Sequence, residues 1–449
     1  MTDIISTETA QQPPTPRDDG LIRPATPLQA GMYFHAVAHP GTGVDVEHVT
    51  ITTESDVNLD TFFAAWLKVL NEFEELRSVV RLVEGRPWIA ANQAQPFTHE
   101  IYEFENSDNT EAEIAELHNA DRARGFDLED GPLMRFSICR VKGGQTSILW
   151  SFHHLLLDGR SFPLILERVL CAYEGRPQPE AGDVSMADYA QALQGIDHTE
   201  AKQRWAKKLQ LLDGPSSIPA NSTDAGVRVE ALETQLGDNL SESIRALARW
   251  TGVSVHTVVQ AAWSLLLHHH SQKSTVAFGS TRAGRHVVAN SQDAIGLLIV
   301  TVPFLVDFDG QPSTLELLAQ IKDEQRALRE LETTPLEQIQ QASGLGATPI
   351  FDSLVMYDDA TLDTRMRDRL GADTSWSFDY AGQTNFPLTL LVYGEDDIVV
   401  RLEHDTAKHD ATDASALLAR LVNLFISICL LYTSPSPRDA TLSRMPSSA

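Results

Sequence analysis

The chain has 449 residues, of which 62 are acidic and 35 basic, and its formal net charge is −27. This acidic balance disfavours nucleic acid and anionic membrane surfaces as partners. Hydrophobic residues make up 42% of the chain, which is enough for two cores, and we expect no stretch to have the apolar length of a membrane span.

The first predicted elements follow a polar, Pro-rich segment. We expect residues 1–21 to be disordered and to contain no secretory signal. A Pro-Leu-Gln-x-Gly-Met stretch that contains Gln29 and Met32 then predicts the start of a helix. Further along, the hydrophobic pattern predicts a strand at 46–52 and a helix at 59–73, and Arg77 lies just beyond that helix.

The most informative segment comes near the middle of the first half. Residues 146–152 are β-prone and mostly apolar, which predicts a buried strand that ends at His153 and His154. Asp158 and Gly159 follow in a short loop, and Ser161 is placed to N-cap the next helix. Imidazole groups titrate near neutral pH, so two of them at a strand end, followed by a loop, indicate a site of chemistry.

The chain divides near residue 220. A predicted helix at 199–212 is followed by a Gly-, Pro- and Ser-rich linker at 213–226. The next clear pattern, at 276–285, predicts a strand and a Gly-Arg turn that ends at Arg285. Strands and helices occur in both halves, which predicts an α/β protein of the α+β type with two lobes.

The last part of the chain changes character abruptly. A helix is predicted at 315–331, a strand at 398–403 and a closing helix at 414–428. After this helix the composition shifts to Ser, Pro and Arg. We interpret residues 430–449 as a non-native tail, an artefact of sequencing or assembly.

The motif His-His-x-x-x-Asp-Gly at 153–159 resembles the core motif of condensation domains of nonribosomal peptide synthetases. The same motif occurs in the wider acyltransferase superfamily that shares the chloramphenicol acetyltransferase fold. Matches to the other family motifs follow in the family's order across residues 22–428. Three departures stand out: Glu72 and Phe73 replace an Arg-His pair, Val300 replaces Asn, and Leu305 replaces Arg.

The resemblance implies two chloramphenicol acetyltransferase-like lobes in a V-shaped arrangement with a central tunnel. We expect the N-terminal lobe at 22–198, a connecting helix and linker at 199–226, and the C-terminal lobe at 227–429. It also implies substrate-tunnel positions, for which the candidates are Gln29, Met32, Ser161, Val300 and Thr301.

The implied activity is amide-bond formation between a carrier-bound acyl, aminoacyl or peptidyl thioester and a carrier-bound aminoacyl acceptor. His154 is the residue expected to accept the proton or to orient the amine, and His153 is expected to pack inward. The resemblance makes Asp158 a structural anion, with Arg285 as its first candidate partner and Arg77 as its second. The N–H group of Gly159 is a candidate donor to the oxyanion.

The resemblance implies no bound cofactor, because both substrates are carried on the 4'-phosphopantetheine arms of partner carrier proteins. The expected partners are upstream and downstream peptidyl carrier proteins and an adenylation domain in the same or a neighbouring chain, without nucleic acid or membrane. Three cysteines without paired or metal-ligand spacing (Cys139, Cys171 and Cys429) predict reduced thiols in the cytoplasm. Residues 268–270 are consecutive histidines on a predicted helix, where side chains diverge, so we expect no metal there.

Three alternatives remain open at this point. An epimerisation domain shares the core motif but continues differently after it. An acyltransferase that uses an alcohol acceptor would form an ester through the same histidine. A catalytically inactive domain would keep the fold and bind carriers only.

Overall fold

The computed structural model describes residues 22–433 except 94–98, 105–108, 142–143, 181, 223–228 and 395–396. The predicted disordered segment 1–21, and most of the tail predicted at 430–449, lie outside the described residues. The remainder is a mixed α/β structure, which confirms the predicted class.

The strands lie in both halves of the chain and match the predicted ones closely. The predicted strand at 146–152 is observed as Thr146–His153, one residue longer. In chain order, the strands are β1 (Ile22–Pro24), β2 (Val46–Thr53), β3 (Ser78–Val83), β4 (Arg86–Ala91), β5 (His99–Phe104), β6 (Met134–Val141), β7 (Thr146–His153), β8 (Val229–Gln235), β9 (Thr275–Arg282), β10 (Val300–Asp307), β11 (Ser353–Tyr357), β12 (Trp376–Ala381), β13 (Leu388–Tyr393) and β14 (Val399–Asp405).

Several helices begin at side-chain caps that the sequence supplies. The hydroxyl of Thr26 accepts from the backbone N–H of Gln29, and Asn58 caps the second helix in the same way. In chain order, the helices are α1 (Pro27–Ala38), α2 (Leu59–Glu72), α3 (Thr110–Arg124), α4 (Ser161–Tyr173), α5 (Met186–Gln194), α6 (Thr199–Leu209), α7 (Asp238–Thr251), α8 (Val255–Ser271), α9 (Thr314–Leu328), α10 (Leu336–Ser343), α11 (Leu362–Leu370) and α12 (Ala411–Thr433).

The first large sheet carries the histidine strand at its centre. Its strand order is β12-β2-β7-β6-β5, and every residue of β7 is buried. Helices α2 and α4 pack against each other and share a hydrophobic core with this sheet. Large aromatic side chains, including Phe62, Trp66 and Trp150, fill that core. The dense packing holds the end of β7 in one position.

The second large sheet belongs to the second half of the chain. Its strand order is β10-β9-β11-β13-β14-β8, with a separate core that includes Trp263, Phe278 and Phe304. A small third sheet has the order β1-β4-β3. Two separate cores agree with the expectation that a chain of this size forms two lobes.

One strand crosses the predicted division between the lobes. Strand β12, which chain order assigned to the lobe at 227–429, pairs antiparallel with β2 of the first sheet, with Tyr380 opposite Val49. Helix α11, just before it, packs on α4. The crossing has a physical reason, because β12 covers an edge of β2 that would otherwise expose unpaired backbone groups.

The last helix corrects two predictions. Helix α12 runs to Thr433, beyond the boundary predicted at residue 429. Its segment 411–430 is long and apolar enough to cross a membrane by length and composition, contrary to the expectation that no stretch would be. The helix packs on α7 and α8 and buries Leu417, Leu421 and Phe425 in the second core, which explains its apolar composition.

A glycine turn after β9 leads directly into Arg285. Gly284 has a φ of +64°, and a Cβ atom there would lie 1.9 Å from the carbonyl oxygen of Leu298. The same carbonyl accepts a 3.0 Å hydrogen bond from the hydroxyl of Tyr189. Only glycine therefore fits between this turn and the segment before β10.

We expect Gly284→Ala to lower the free energy of unfolding by about 2–4 kcal/mol, because the methyl group adds a backbone clash to the strain of positive φ. Gly310→Ala is a matched control, since Gly310 has a φ of +81° and open space around the Cβ position. That variant should lose only about 1 kcal/mol. Urea denaturation of both proteins measures the difference, and equal losses would contradict the predicted clash.

Candidate functional site

The two histidines lie where β7 leaves the first sheet. The backbone N–H of His153 donates to the carbonyl oxygen of Leu133 at 2.9 Å, which ends the pairing with β6. The backbone N–H of His154 donates to the carbonyl oxygen of Asp45 at 2.7 Å, just before β2 begins. Both neighbouring strands therefore fix the backbone of this pair.

His153 faces the protein interior. It is buried, and its Nδ1 accepts a 3.1 Å hydrogen bond from the backbone N–H of Leu155. Burial, followed by the charge of His154, lowers the pKa of His153 to about 3. The ring is therefore neutral at physiological pH and helps to hold the loop.

His154 is half-buried and lies at a cavity. Its Nδ1 is 2.7 Å from the carbonyl oxygen of Leu157. A carbonyl can only accept, so this contact places the proton on Nδ1 and leaves the lone pair of the neutral ring on Nε2. His154 thus has the tautomer that a proton acceptor at Nε2 requires.

Two acidic side chains raise the pKa of His154. Burial alone lowers the pKa of His154, but the charges of Glu47 and Asp45 and the contact with Leu157 outweigh it, so the pKa lies above its ordinary value of 6.5. Glu47 is buried in β2 and accepts a hydrogen bond from the hydroxyl of Tyr380 on β12. Burial raises the pKa of Asp45 to about 7.

Asp158 is fully buried at the centre of a polar network. Its Oδ1 accepts from Arg285 Nη2 at 2.6 Å, from the Ser161 hydroxyl at 2.8 Å and from the backbone N–H groups of Ser161 and Arg160 at 3.1 and 3.2 Å. Its Oδ2 accepts from the backbone N–H of Leu298 at 3.0 Å. Five donors from both halves of the chain thus satisfy one carboxylate.

Arg285 is also buried and makes further contacts on its other side. Its Nη1 donates to the carbonyl oxygens of Ala294 at 2.6 Å and of Ser291 at 3.3 Å. Arg77, the second candidate partner of Asp158, lies elsewhere. It follows α2 in a short 3₁₀ turn, where it contacts Glu74 at 3.5 Å and the carbonyl oxygen of Asn92.

The cap of α4 differs from the predicted one. The helix begins at Ser161 itself, so this residue is not the N-cap, and the side chain of Asp158 accepts from the backbone N–H groups of Arg160 and Ser161 at the start of the helix. The Ser161 hydroxyl instead joins the buried network and accepts from the backbone N–H of Gly296 at 3.1 Å. A single Asp158 side chain therefore caps α4 and pairs with Arg285.

A cavity of about 460 Å³ opens between the two large sheets. His154, Gly159 and Phe162 line it from the first half of the chain, while Tyr357 and Glu403 are among its lining residues from the second. A volume of this size suits a small organic group. The histidine of the motif and the following glycine therefore face one shared space.

The five tunnel candidates do not line this cavity within the described part of the chain. Gln29 is buried and donates to the carbonyl oxygen of Leu155 at 3.0 Å, so it supports the histidine loop from behind. Met32 packs in the first core, and Ser161 belongs to the Asp158 network. Val300 and Thr301 lie on β10, an edge strand of the second sheet.

The sequence analysis missed the carboxylates and the tyrosine beside His154. Asp45, Glu47 and Tyr380 lie far from the motif in the chain and meet it through the pairing of β2 with β7 and with β12. The sequence signal that exists is two acidic residues at the start of a strand rich in β-branched residues. Among the described residues, no group of three or more His, Cys, Asp or Glu side chains is arranged to hold a metal ion.

Comparison with known proteins adds the family context. The family model described as "Condensation domain" matches residues 22–443. A linear gramicidin synthase protein of Brevibacillus parabrevis is 27% identical over 91% of this chain, which corresponds to 5% of that protein. Bacitracin synthase 3 of Bacillus licheniformis is 26% identical over 76% of this chain, or 6% of that protein. The chain thus spans a small part of the length of these curated relatives.

Solved structures share the fold. The first condensation domain of the calcium-dependent antibiotic synthetase, in complex with a substrate analogue, has a TM-score of 0.76 at 16% identity, with 91% of this chain and 97% of that chain covered. The X-domain from teicoplanin biosynthesis has a TM-score of 0.77 at 17% identity, with 94% and 97% covered. These likenesses confirm the chloramphenicol acetyltransferase-like fold expected from the motifs.

We expect the ring of His154 to titrate above 6.5, and we expect Glu47→Gln to lower that midpoint because it removes a carboxylate that stabilises the imidazolium. NMR of the imidazole nitrogens across neutral pH measures both values. Glu242→Gln, at an exposed site on α7, is the control and should leave the midpoint unchanged. A midpoint below 6.5 in the wild type would contradict the role of the carboxylates.

We expect Asp158→Ala to lower the free energy of unfolding by about 3–5 kcal/mol, because it leaves the buried Arg285 without its counter-charge. Urea denaturation measures this loss. Glu242→Ala breaks an exposed ion pair of the same 2.6 Å length, with Arg249, and should cost at most about 1 kcal/mol. An Asp158→Ala variant as stable as the wild type would show that the pair is not structural.

Proposed function

Because the chain belongs to the condensation-domain family of nonribosomal peptide synthetases, we propose that it joins two carrier-bound substrates through an amide bond. The donor is an acyl, aminoacyl or peptidyl thioester, and the acceptor is the α-amine of a carrier-bound aminoacyl group. The observation that carries this proposal is the tautomer of His154, whose proton-accepting Nε2 belongs to a ring at the cavity between the two sheets.

The reaction balances with groups that the protein and substrates supply. The acceptor nitrogen attacks the thioester carbonyl, so a C–N bond forms and the carbonyl oxygen becomes an oxyanion. The nitrogen loses a proton to His154 Nε2 as this tetrahedral intermediate forms. Collapse of the intermediate breaks the C–S bond, and the departing sulfur takes up the proton. Exchange of a thioester for an amide is downhill, so this step needs no nucleotide.

The raised pKa of His154 suits this role. An amine with an ordinary pKa of about 8 is partly neutral in the cytoplasm and can act as a nucleophile there. A general base works best when its pKa is close to the working pH, and the carboxylates of Glu47 and Asp45 bring the pKa of His154 upward. The same charges stabilise the imidazolium that forms after proton transfer.

Gly159 is the candidate donor to the oxyanion. It lines the cavity, two residues before α4 begins, so its backbone N–H lies in the positive field of the helix N-terminus. Asp158, immediately before it, is held by Arg285 and therefore fixes the position of this backbone segment. The proposed division of labour is proton transfer by His154 and oxyanion stabilisation by Gly159.

The proposed partners follow from the substrates. Carrier proteins upstream and downstream present both groups on 4'-phosphopantetheine, and an adenylation domain loads the acceptor. The chain itself needs no cofactor or metal for this step, and we place the reaction in the cytoplasm, away from nucleic acid and membranes. A holo four-domain nonribosomal peptide synthetase bound to AMP and glycine, whose fold matches 92% of this chain over 33% of its own, supports such a multidomain setting.

We expect the wild type to form a dipeptidyl thioester from pairs of aminoacyl-loaded carriers, and we expect His154→Ala to slow this about 10²- to 10⁴-fold because the proton acceptor is lost. Mass spectrometry of carrier-bound products in deuterated buffer measures this. The control is His268→Ala. His268 lies on α8, outside the cavity lining, and its Nδ1 makes the same 2.7 Å contact with a carbonyl oxygen, that of Lys273.

Other products would identify the alternatives. Deuterium at the α-carbon with inversion and without coupling would indicate an epimerisation domain. An ester from a hydroxyl-bearing acceptor would indicate an alcohol-using acyltransferase. Carrier binding without any product from wild type, across the carriers tested, would indicate an inactive carrier-binding domain.

A further inference from the structure

One carboxylate in the cavity wall is only half satisfied. Glu403, on β14, lines the cavity but is only 3% exposed. Its Oε1 accepts from Arg401 Nε at 3.3 Å, whereas its Oε2 is buried without a hydrogen-bond partner among the described residues. A buried carboxylate oxygen that lacks a donor is costly, so such an atom at a cavity indicates a missing ligand.

Glu403 has charged neighbours of both signs. Glu403 shares its surroundings with Glu47, and the guanidinium groups of Arg401 and Arg122 oppose the charge of Glu403. Arg122 is already engaged, because it donates to the carbonyl oxygens of Val46 and Ala381. Burial is the main cause that raises the pKa of Glu403, to about 7. Arg401 and Arg122 lower this pKa, and the charge of Glu47 raises it. A further hydrogen-bond donor at Oε2 would therefore stabilise the charged form of Glu403.

Two further arginines of the cavity lining have acidic partners of their own, and a third, Arg160, contacts the side-chain oxygen of Gln292 at 3.4 Å. Arg365 pairs with Asp358 and with Asp359, and Arg282 pairs with Glu332. These arginines are thus committed elsewhere. Asp379, which precedes Tyr380 on β12, adds a further carboxylate to the cavity lining.

Building on the proposed function, we propose that Glu403 binds the cationic side chain of one of the two joined aminoacyl groups, with its free Oε2 as the acceptor. An ammonium or guanidinium group supplies the missing donor and places a positive charge beside the carboxylate. A side chain of this kind, as in ornithine or arginine, reaches the wall while its reacting group stays at His154, because both residues line the same cavity. The substrate class is therefore basic aminoacyl thioesters.

The test compares ornithine with norleucine, which has a methyl group in place of the side-chain ammonium. Each is offered as the acceptor in one arm and as the donor in a second arm, against a constant alanyl partner. We expect wild type to prefer ornithine in one arm, which identifies the side recognised. In that arm, Glu403→Gln should lower the ratio of kcat/KM for ornithine to kcat/KM for norleucine at least about tenfold. It should leave norleucine turnover within about twofold of wild type.

Two controls separate recognition from general damage. Glu242→Gln removes the same charge at an exposed site on α7 and should leave the ratio unchanged. In Glu403→Gln, an equal loss for ornithine and norleucine would show a structural role or a contact with the α-amine, and would overturn the proposal. An unchanged ratio in both arms would overturn it as well.

A binding arm keeps this inference separate from the proposed function. Calorimetry of the wild type with non-reactive ornithyl and norleucyl pantetheine amides, in buffers of different ionisation enthalpy at pH near 7, needs no turnover. A bound cation lowers the pKa of Glu403, so binding of the ornithyl amide to the wild type should release a proton. Binding of the norleucyl amide to the wild type, or of the ornithyl amide to Glu403→Gln, should not release that proton. Absence of that difference would overturn the inference, whether or not a dipeptide forms.

Discussion

The geometry of the cavity depends on one buried ion pair, between Asp158 and Arg285. Removing two charges from water is expensive, and the cost is offset only when nearly every donor and acceptor is satisfied. Here the carboxylate receives five hydrogen bonds, and the guanidinium reaches two backbone carbonyls on its far side. Since Asp158 follows the histidines and Arg285 follows β9, the pair ties the loop after the histidines to the second sheet. Gly284 makes this approach sterically possible.

A second connection between the two halves of the chain affects the protonation of His154. Strand β12 leaves the second half to pair with β2, and this pairing brings Tyr380 to Glu47. Glu47 in turn stabilises the protonated form of His154. The strand that covers the edge of the first sheet therefore also contributes to the acid–base properties of the site. A change in the packing of the second half would reach the histidine through this strand.

Buried charge is concentrated where the proposed chemistry takes place. Asp45 and Glu403 are buried carboxyl groups whose pKa values are raised to about 7, an arrangement that costs stability and is common at functional sites. The two differ in how they are used. Asp45 raises the pKa of His154, whereas Glu403 lines the cavity and has one carboxylate oxygen without a hydrogen-bond partner among the described residues. One group thus serves the proposed proton transfer and the other the proposed substrate selection.

The sequence by itself determined the strand, loop and helix around His153 and His154, and by resemblance the family, the fold and Arg285 as a first candidate partner of Asp158. These features are local patterns or ordered motifs, because periodicity, caps and turn residues act over a few positions. Only the tertiary structure decided that Asp158 caps α4, that β12 joins the first sheet, and that Glu47, Tyr380 and Glu403 surround the site. Those contacts join residues more than 100 positions apart in several cases, as with Tyr380 and Glu47. Strand register and core packing create them, and no short pattern in the chain records either.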